Sequence, residues 1–409
     1  MRYLIYLSLS ILALGWSCSE QNPVKNLKDD VKFLSSDSLK GREVGTPGEK
    51  LAADYIAEEF KKIGLQTAGT DGYYQSFFVK TSSNPHVKPE VGAENDGEGI
   101  TGYNVLGKID NPGEKTLVIG AHFDHLGMGG MSSLDRSGPE IHNGADDNAS
   151  GTAALLQLAR ELKELELQKD ILFFAISGEE QGLWGSNYYV KNPTIELSDL
   201  HAMINMDMVG RLDTSRGLAV NGVGTSPLWS EVLLRSNTEK IKTITSESGV
   251  GPSDHTSFYL QDIPVLHLFT GQHEDYHKPS DDWDKVNYDG LYSIVRLVKN
   301  MVVELDQQDA VVFTRTKNES TSAPRFTVTL GVVPDYLYDG VGMRIDGVSE
   351  EKPAITAGIE KGDIVIQMGD STITDMMSYM RALSGYEKGD STQVMVDRDG
   401  EKKTFQVVF

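Results

Sequence analysis

The sequence predicts an α/β domain with a mostly parallel sheet sandwiched by helices, followed by a small β-rich domain. Short apolar runs alternate with helical stretches through most of the chain, and buried strands that alternate with amphipathic helices are typical of a parallel sheet. The apolar runs are 116–119, 171–176, 202–206 and 264–269, and the helical stretches are 48–63, 151–167 and 290–305. After residue 324 the runs alternate between apolar and polar residues, which favours a β-rich fold with one helix over 375–383.

The stretch 48–63 is predicted to be an amphipathic helix that packs on the core. Its apolar side chains fall near one helical face, and Gly64 offers a C-terminal stop. That predicted face consists of Leu51, Tyr55, Ile56, Phe60 and Ile63.

The domain organisation follows from length and local composition. A chain of 409 residues exceeds one ordinary domain and fits two. Residues 26–305 are assigned to the α/β domain, and 324–409 to the β-rich domain. The polar stretch 306–323 holds few large apolar residues and is predicted to be a linker, whereas 1–17 and 18–25 are predicted to be a signal peptide and a tether.

Charge and cysteine usage exclude several classes of protein. The chain has 60 Asp and Glu residues against 38 Lys and Arg residues, a formal net charge of −22. Because such a chain has no basic excess to neutralise phosphates, nucleic acid is not expected as a partner. Cys18 is the single cysteine, which excludes an intramolecular disulfide, a cysteine-ligated zinc site and an iron–sulfur cluster.

The N-terminal segment has the layout of an export signal. Arg2 precedes an apolar run of about 15 residues, which is shorter than the roughly 20 residues needed to span a bilayer. Cys18 ends this run, as in a bacterial lipoprotein signal. We therefore expect an exported protein that is anchored to the membrane by a lipid on Cys18, in the periplasm or on the cell surface. The alternative is a plain secretion signal in which Cys18 is incidental.

The predicted strands end in residues that can bind a metal ion. Because parallel strands gather their carboxyl ends at one edge of a sheet, these side chains are expected to lie close together. Imidazole and carboxylate groups without cysteine suit Zn²⁺. The strand ends and the loops after them supply His122, Asp124, His125, Asp146, Asp147, Glu179, Glu180, Asp207, Asp275, His277 and Asp281.

This inventory is large enough for two metal ions. Five strong ligand candidates with one carboxylate to share predict two ions roughly 3.5–4 Å apart. The adjacent pair Glu179 and Glu180 is expected to point to opposite sides if the segment is extended. One carboxylate could then bind a metal while the other acts as a general base.

The ordered set of motifs over residues 26–303 resembles the di-zinc exopeptidase family of clan MH, which contains secreted bacterial aminopeptidases, glutamate carboxypeptidases and glutaminyl cyclases. The resemblance implies the zinc exopeptidase fold and two Zn²⁺ ions per chain. It implies that His122 and Asp207 hold one zinc, that Glu180 and His277 hold the other, and that Asp147 bridges them. The matching position in the motif 144–147 is its fourth residue, so Asp146 is not the ligand.

The same resemblance assigns the remaining roles. Glu179 would be the general base towards a water that bridges the metals, and Asp124 would orient His122. The segment 253–255 resembles a further family motif near the substrate, so Asp254, His255 and Tyr276 are predicted to belong to the substrate pocket. Three histidines lie near the ligands in sequence but are not assigned to the metal: His125, His142 and His273.

The expected function is that of a zinc-dependent metallo-exopeptidase, an aminopeptidase that removes N-terminal residues from peptide substrates. A carboxypeptidase or a glutaminyl cyclase on the same scaffold remains open. From another class, a receptor or scaffold could keep the fold without catalysis. That reading does not require Glu179 and all five metal ligands, and this sequence has all six.

The C-terminal segment resembles a PDZ domain of the bacterial protease-associated type. The resemblance rests on residues 329–332 and on 354–364. It implies capture of an extended peptide by strand addition. The alternatives are that the domain packs on the catalytic domain or covers its cleft. Pro334 stands where a strand amide would donate, which argues against peptide capture.

Overall fold

The computed structural model describes residues 22–81, 89–95, 97, 99–135, 137–316, 328–335, 337–338, 340–348 and 352–409. The predicted signal peptide 1–17 and the proposed lipidation site Cys18 lie outside the described residues. Within the described part of the chain, no helix combines the length and the apolar character that crossing a membrane requires.

Ten strands among the described residues form the sheet that organises the large domain. Its strands follow the order β3-β2-β4-β6-β5-β7-β10-β8-β9, and β1 pairs with β4. The central strands β6, β5, β7 and β10 are mutually parallel, as predicted. The strands are β1 Gln66–Thr67, β2 Tyr74–Lys80, β3 Glu90–Val91, β4 Ile100–Ile109, β5 Thr116–His122, β6 Asp170–Ile176, β7 Leu200–Met206, β8 Leu218–Asn221, β9 Thr243–Ser246 and β10 Val265–Phe269.

Helices cover both faces of this sheet, so the predicted α/β sandwich is confirmed. Helices α1, α2, α3, α5 and α7 pack on one face, and α4 and α6 pack on the other. Leu155 and Val298, from α3 and α7, are fully buried against the first face. The helices are α1 Pro23–Leu34, α2 Pro47–Ile63, α3 Gly151–Leu162, α4 Trp184–Lys191, α5 Trp229–Ser236, α6 His255–Tyr259 and α7 Tyr288–Asp306.

The antiparallel strands β2 and β4 were not predicted. Glycines interrupt the apolar pattern of β4, and packing explains two of them. A Cβ atom on Gly107 would lie 2.8 Å from the side chains of Phe60 and Leu65, and one on Gly102 would lie 2.4 Å from Phe77. Both glycines therefore allow large side chains to approach the strand. They also interrupt the alternation of apolar residues by which β4 could have been predicted from the sequence.

The helix predicted over 48–63 is confirmed as α2, but its buried face is corrected. Leu51 is 50% exposed, whereas Glu49 is fully buried. The Glu49 carboxylate accepts hydrogen bonds from the amides of Gly45 and Tyr103, at 2.8 and 2.9 Å, and from the Ser177 hydroxyl at 2.6 Å. These bonds hold an acidic side chain on the inner face, and the helix consequently turns Leu51 to solvent.

The boundaries of the large domain carry more structure than a tether and a linker imply. Helix α1 begins at Pro23, inside the stretch 18–25. Part of the stretch 306–323 lies on the large domain: the amide of Thr314 donates to Thr225 at 2.8 Å, and the hydroxyl groups of Thr316 and Tyr259 are 2.9 Å apart.

The described residues of the C-terminal domain form a six-stranded antiparallel sheet with its own apolar core. The helix predicted over 375–383 is α9, and the Asp375 side chain caps it by accepting from the amide of Ser378 at 2.7 Å. The elements are β11 Val332–Pro334, β12 Met343–Val348, α8 Pro353–Ala357, β13 Ile364–Met368, β14 Ser371–Thr372, α9 Met376–Leu383, β15 Ser391–Arg398 and β16 Glu401–Val408.

Candidate metal centre

A cleft of about 370 Å³ opens at the carboxyl ends of the parallel strands. The loops after β5, β6, β7 and β10 supply its walls, as the strand order predicts. The five predicted ligands and Glu179 all line this cleft: His122, Asp147, Glu179, Glu180, Asp207 and His277.

The first ligand group surrounds the ring of His122, the last residue of β5. Its Nε2 atom lies 3.3 Å from Oδ1 of Asp207 and 3.5 Å from Oδ1 of Asp147. One ligand atom from each of these three buried residues lies within 4.8 Å of the others, so together they can hold one ion. The opposite ring atom, Nδ1, lies 3.6 Å from the carboxylate of Asp124, which is where an orienting residue belongs.

The second ligand group includes His277, in the loop after β10. Its Nε2 atom lies 3.2 Å from Oδ2 of Asp147 and 3.4 Å from Oε2 of Glu180. Its Nδ1 atom lies 2.9 Å from the carbonyl oxygen of Ser132. If Nδ1 donates that hydrogen bond, the lone pair of Nε2 faces the two carboxylates, as metal binding requires.

Asp147 lies between the two groups and offers a different oxygen to each. The segment that carries it follows Gly144, which has φ +54°, and the Asp147–Asn148 peptide bond is cis. The amides of Asp146 and Asp147 both donate to Oδ2 of Asp281, at 2.8 and 3.1 Å. This anchor fixes the backbone of the shared residue from behind.

The Asp146 carboxylate makes its contacts outside the two ligand groups. Its Oδ1 atom accepts from the amide of Gly210 at 2.6 Å, and its Oδ2 atom lies 3.2 Å from Nε2 of His273. The ring of His142 instead contacts the Ser133 hydroxyl at 2.8 Å. Neither histidine belongs to the two ligand groups.

The pair Glu179 and Glu180 corrects one expectation. Both side chains line the same cleft because the segment forms a turn, in which the amide of Gly182 donates to the Glu179 carbonyl at 2.8 Å. The alternation expected of an extended segment therefore does not apply. Asp124 supports the turn, since its two oxygens accept from the amides of Glu179 and Glu180 at 3.1 and 3.4 Å.

The electrostatics of the cleft separate the two glutamates. Burial raises the pKa of Glu179 well above its ordinary value; the positive charge of His122 opposes this, and the charge of Asp207 adds to it. Burial acts in the same direction on Glu180, but the charges and hydrogen bonds of His277 and His125 together outweigh it and hold the pKa of Glu180 well below its ordinary value. Because Glu180 lies against His277 in the second ligand group and Glu179 belongs to neither group, Glu179 is the carboxyl group suited to taking up a proton.

The residues present fit zinc. Three ligand carboxylates and two imidazoles converge in a largely buried space, and several carboxylates in such a place are costly without a compensating cation. Nitrogen and carboxylate oxygen are the donors that Zn²⁺ takes when cysteine is absent.

Two residues that support the site were not identified from the sequence. His125 lies with Nδ1 2.8 Å from Oε1 of Glu180, and its Nε2 atom is buried with no hydrogen-bond partner among the described residues. The fully buried Arg42 donates to the carbonyl oxygens of Phe123 and Gly144, at 2.7 and 3.0 Å, and so joins two ligand-bearing segments. His125 follows the first motif directly, which was its only signal, and nothing in the local sequence indicates Arg42.

The residues predicted to belong to the substrate pocket differ in their position relative to the cleft. Tyr276 lines the cleft, whereas Asp254 and His255 lie behind its lining residues. Asp254 is fully buried and accepts from the Ser186 hydroxyl at 2.5 Å. The ring of His255 stacks behind that of His267, with 4.5 Å between centroids, and His267 faces the cleft.

Comparisons with known proteins identify both domains of the chain. Residues 104–302 match the profile of peptidase family M28, and 313–408 match that of a PDZ domain. Aminopeptidase YwaD of Bacillus subtilis is 33% identical over 171 residues, which cover 39% of this chain and 37% of that protein. The chain spans about half the length, or less, of the curated relatives it matches.

Solved structures share the fold of the large domain. A Zn-dependent exopeptidase from Parabacteroides distasonis aligns with a TM-score of 0.56 at 18% identity, over 68% of this chain and 97% of that one. A glutaminyl cyclase from Bacteroides thetaiotaomicron aligns with a TM-score of 0.55 at 17% identity, over 68% of this chain and 97% of that one.

The large domain therefore has the α/β fold of these solved structures, and its candidate metal centre lies at the carboxyl edge of the sheet. Residues 104–302 form a peptidase family M28 domain, and residues 313–408 form a C-terminal PDZ domain.

Proposed function

We propose that this protein is a zinc-dependent aminopeptidase that binds two Zn²⁺ ions. The observation that carries the proposal is the position of Asp147, whose two oxygens face His122 and His277 separately. A carboxylate shared in this way, with one further acidic ligand on each side, matches a two-ion site. Relatives named aminopeptidase and zinc metalloprotease support the same activity.

The residues of the cleft divide the work of peptide hydrolysis. Zinc ions bound at the two ligand groups would polarise the scissile carbonyl and lower the pKa of water. The oxygen of the attacking water bonds to the carbonyl carbon while Glu179 takes a proton from that water. Glu179 then returns that proton to the amine that leaves as the C–N bond breaks. Asp124 keeps His122 and the Glu179 backbone in place during both steps.

The charge of the cleft favours the amino terminus over the carboxyl terminus of a peptide. None of the described residues that line the cleft is Lys or Arg. Four of them are acidic: Asp147, Glu179, Glu180 and Asp207. A carboxypeptidase would need a cationic group to receive the terminal carboxylate. A protonated α-amino group suits the acidic lining instead.

We also propose that the protein is exported and anchored by a lipid on Cys18. The apolar run that precedes this single cysteine supports the proposal. Metabolic labelling with a fatty acid tests it: we expect label on the wild type and none on Cys18→Ser. Unlabelled wild type, or equal label on both, would overturn the anchor.

A substrate panel tests the enzymatic proposal. We expect aminoacyl fluorogenic substrates to be hydrolysed, and the activity to disappear with a zinc chelator and return with Zn²⁺. Activity only on blocked peptides with a free carboxyl end would indicate a carboxypeptidase, and cyclisation of an N-terminal glutamine would indicate a glutaminyl cyclase. No chelator-sensitive reaction at all would favour the receptor or scaffold reading.

A further inference from the structure

The PDZ domain contacts the large domain at the rim of the metal cleft. Leu337, which precedes β12, is only 7% exposed and packs with Met208, Phe269 and Tyr276 of the large domain. Met208, Phe269 and Tyr276 also line the cleft itself. One side chain of the PDZ domain therefore lies directly behind the wall of the candidate active site.

The large domain provides a close seat for this leucine. Gly271 has φ +93°, and a Cβ atom there would lie 2.6 Å from Cδ1 of Leu337. The absence of a side chain at Gly271 thus lets Leu337 rest on the backbone of the loop after β10. That loop continues into Tyr276 and His277, so the contact lies on the segment that carries a predicted ligand.

A charged contact fixes the same interface. One guanidinium nitrogen of Arg216 lies 3.1 Å from Asp335 and 3.1 Å from Asp346, both in the PDZ domain. Another donates to the carbonyl oxygen of Gln272 at 3.2 Å. The Asp335 carboxylate also accepts from the amide of Leu337 at 3.0 Å, so it holds the leucine and the arginine together.

We propose that Leu337 is a positioning residue for substrate binding, which acts through Phe269 and Tyr276. Arg216 keeps Leu337 in this position through its contact with Asp335. The PDZ domain is then a structural part of the substrate pocket, where the side chain of the terminal residue packs. This inference rests on the proposed aminopeptidase function. It requires the Leu337 side chain to stay packed on Gly271, and it does not require the PDZ domain to bind a separate peptide.

Steady-state kinetics test the positioning role. Leu337→Ala should raise KM about tenfold for a substrate with a large apolar terminal side chain and leave kcat within about twofold, because packing that serves substrate and transition state equally is lost. The KM of a glycyl substrate should change little. Leu337→Met keeps the volume and should restore KM, and Val341→Ala, at a 72% exposed position of the same domain, is the matched control. Unchanged KM in Leu337→Ala would overturn the proposal.

A second readout does not depend on activity. Amide hydrogen exchange over residues 270–276 should accelerate in Leu337→Ala and in Arg216→Ala, and remain at the wild-type rate in Val341→Ala. Zinc content, measured by elemental analysis, should be equal in all four proteins. If the wild type hydrolyses no substrate, the proposed function fails, and exchange alone then decides on the contact. Wild-type exchange over 270–276 in both interface variants would overturn it.

Discussion

Nε2 of His277 lies 3.2 Å from Oδ2 of Asp147, although His277 follows β10 and Asp147 follows β5. The other oxygen of Asp147 faces His122, so a single carboxylate connects both ligand groups. If this connection serves two metal ions, each residue around it has a distinct and measurable effect.

Replacing Glu179 should separate catalysis from metal binding. We expect Glu179→Gln to lower kcat by about 10²- to 10⁴-fold, because the amide cannot take a proton from water. Zinc content should remain that of the wild type, since Glu179 belongs to neither ligand group. Glu274→Gln, on an exposed glutamate of the loop that carries His277, is the matched control and should keep full turnover. Wild-type turnover by Glu179→Gln in a zinc-replete assay would refute the role.

Replacing His122 should remove one ion and leave the other ligand group in place. Elemental analysis of His122→Ala is expected to find about one equivalent less zinc than the wild type, because the group of His122, Asp147 and Asp207 loses its nitrogen ligand. Asp309→Ala, at an exposed position, is the control for zinc lost during purification, and its zinc content should equal that of the wild type. Full zinc occupancy in His122→Ala would contradict the assignment.

His125 should act through Glu180. Its Nδ1 atom lies 2.8 Å from that carboxylate, so His125→Ala is expected to weaken zinc binding at the second group by about 10- to 100-fold. His125→Gln keeps a donor and should lie between the wild type and the alanine variant. Competition with a chromogenic chelator measures the affinity. Equal affinity in His125→Ala and the wild type would show that the contact does not support the ligand.

His201 predicts a dependence of stability on pH far from the site. Burial, together with the charges of Lys169 and Lys115, lowers the pKa of His201 to about 4. The unfolded chain therefore binds more protons between the ordinary value near 6.5 and pH 4, and stability is lost as the pH falls through this window.

The substitution His201→Gln removes this contribution, because glutamine does not titrate. We expect the urea midpoint of the variant to fall less than that of the wild type between pH 7.5 and pH 5. Equal falls in both proteins would mean that His201 does not titrate differently on folding.

The sequence was most informative where local pattern and strand topology agree. Apolar runs followed by His or acidic residues located β5, β6, β7 and β10, and parallel strands necessarily bring their carboxyl ends together. This is why the predicted ligands, separated widely in the chain, lie around one cleft in the structure.

The parts that could not be predicted depend on contacts between distant segments. Leu51 was expected in the core, but Glu49 takes the inner face because Tyr103 and Ser177 donate to it. Asp254 lies behind the cleft because Ser186 of another helix holds it there. Arg42 carried no signal at all, since its partners are backbone carbonyl groups.

The zinc content of the purified protein tests the two-ion centre most directly. Elemental analysis after dialysis against metal-free buffer should find two zinc equivalents per chain. Asp147→Ala should lose most of both, because it removes an oxygen from each group. One equivalent or fewer in the wild type, or two retained by Asp147→Ala, would contradict the account.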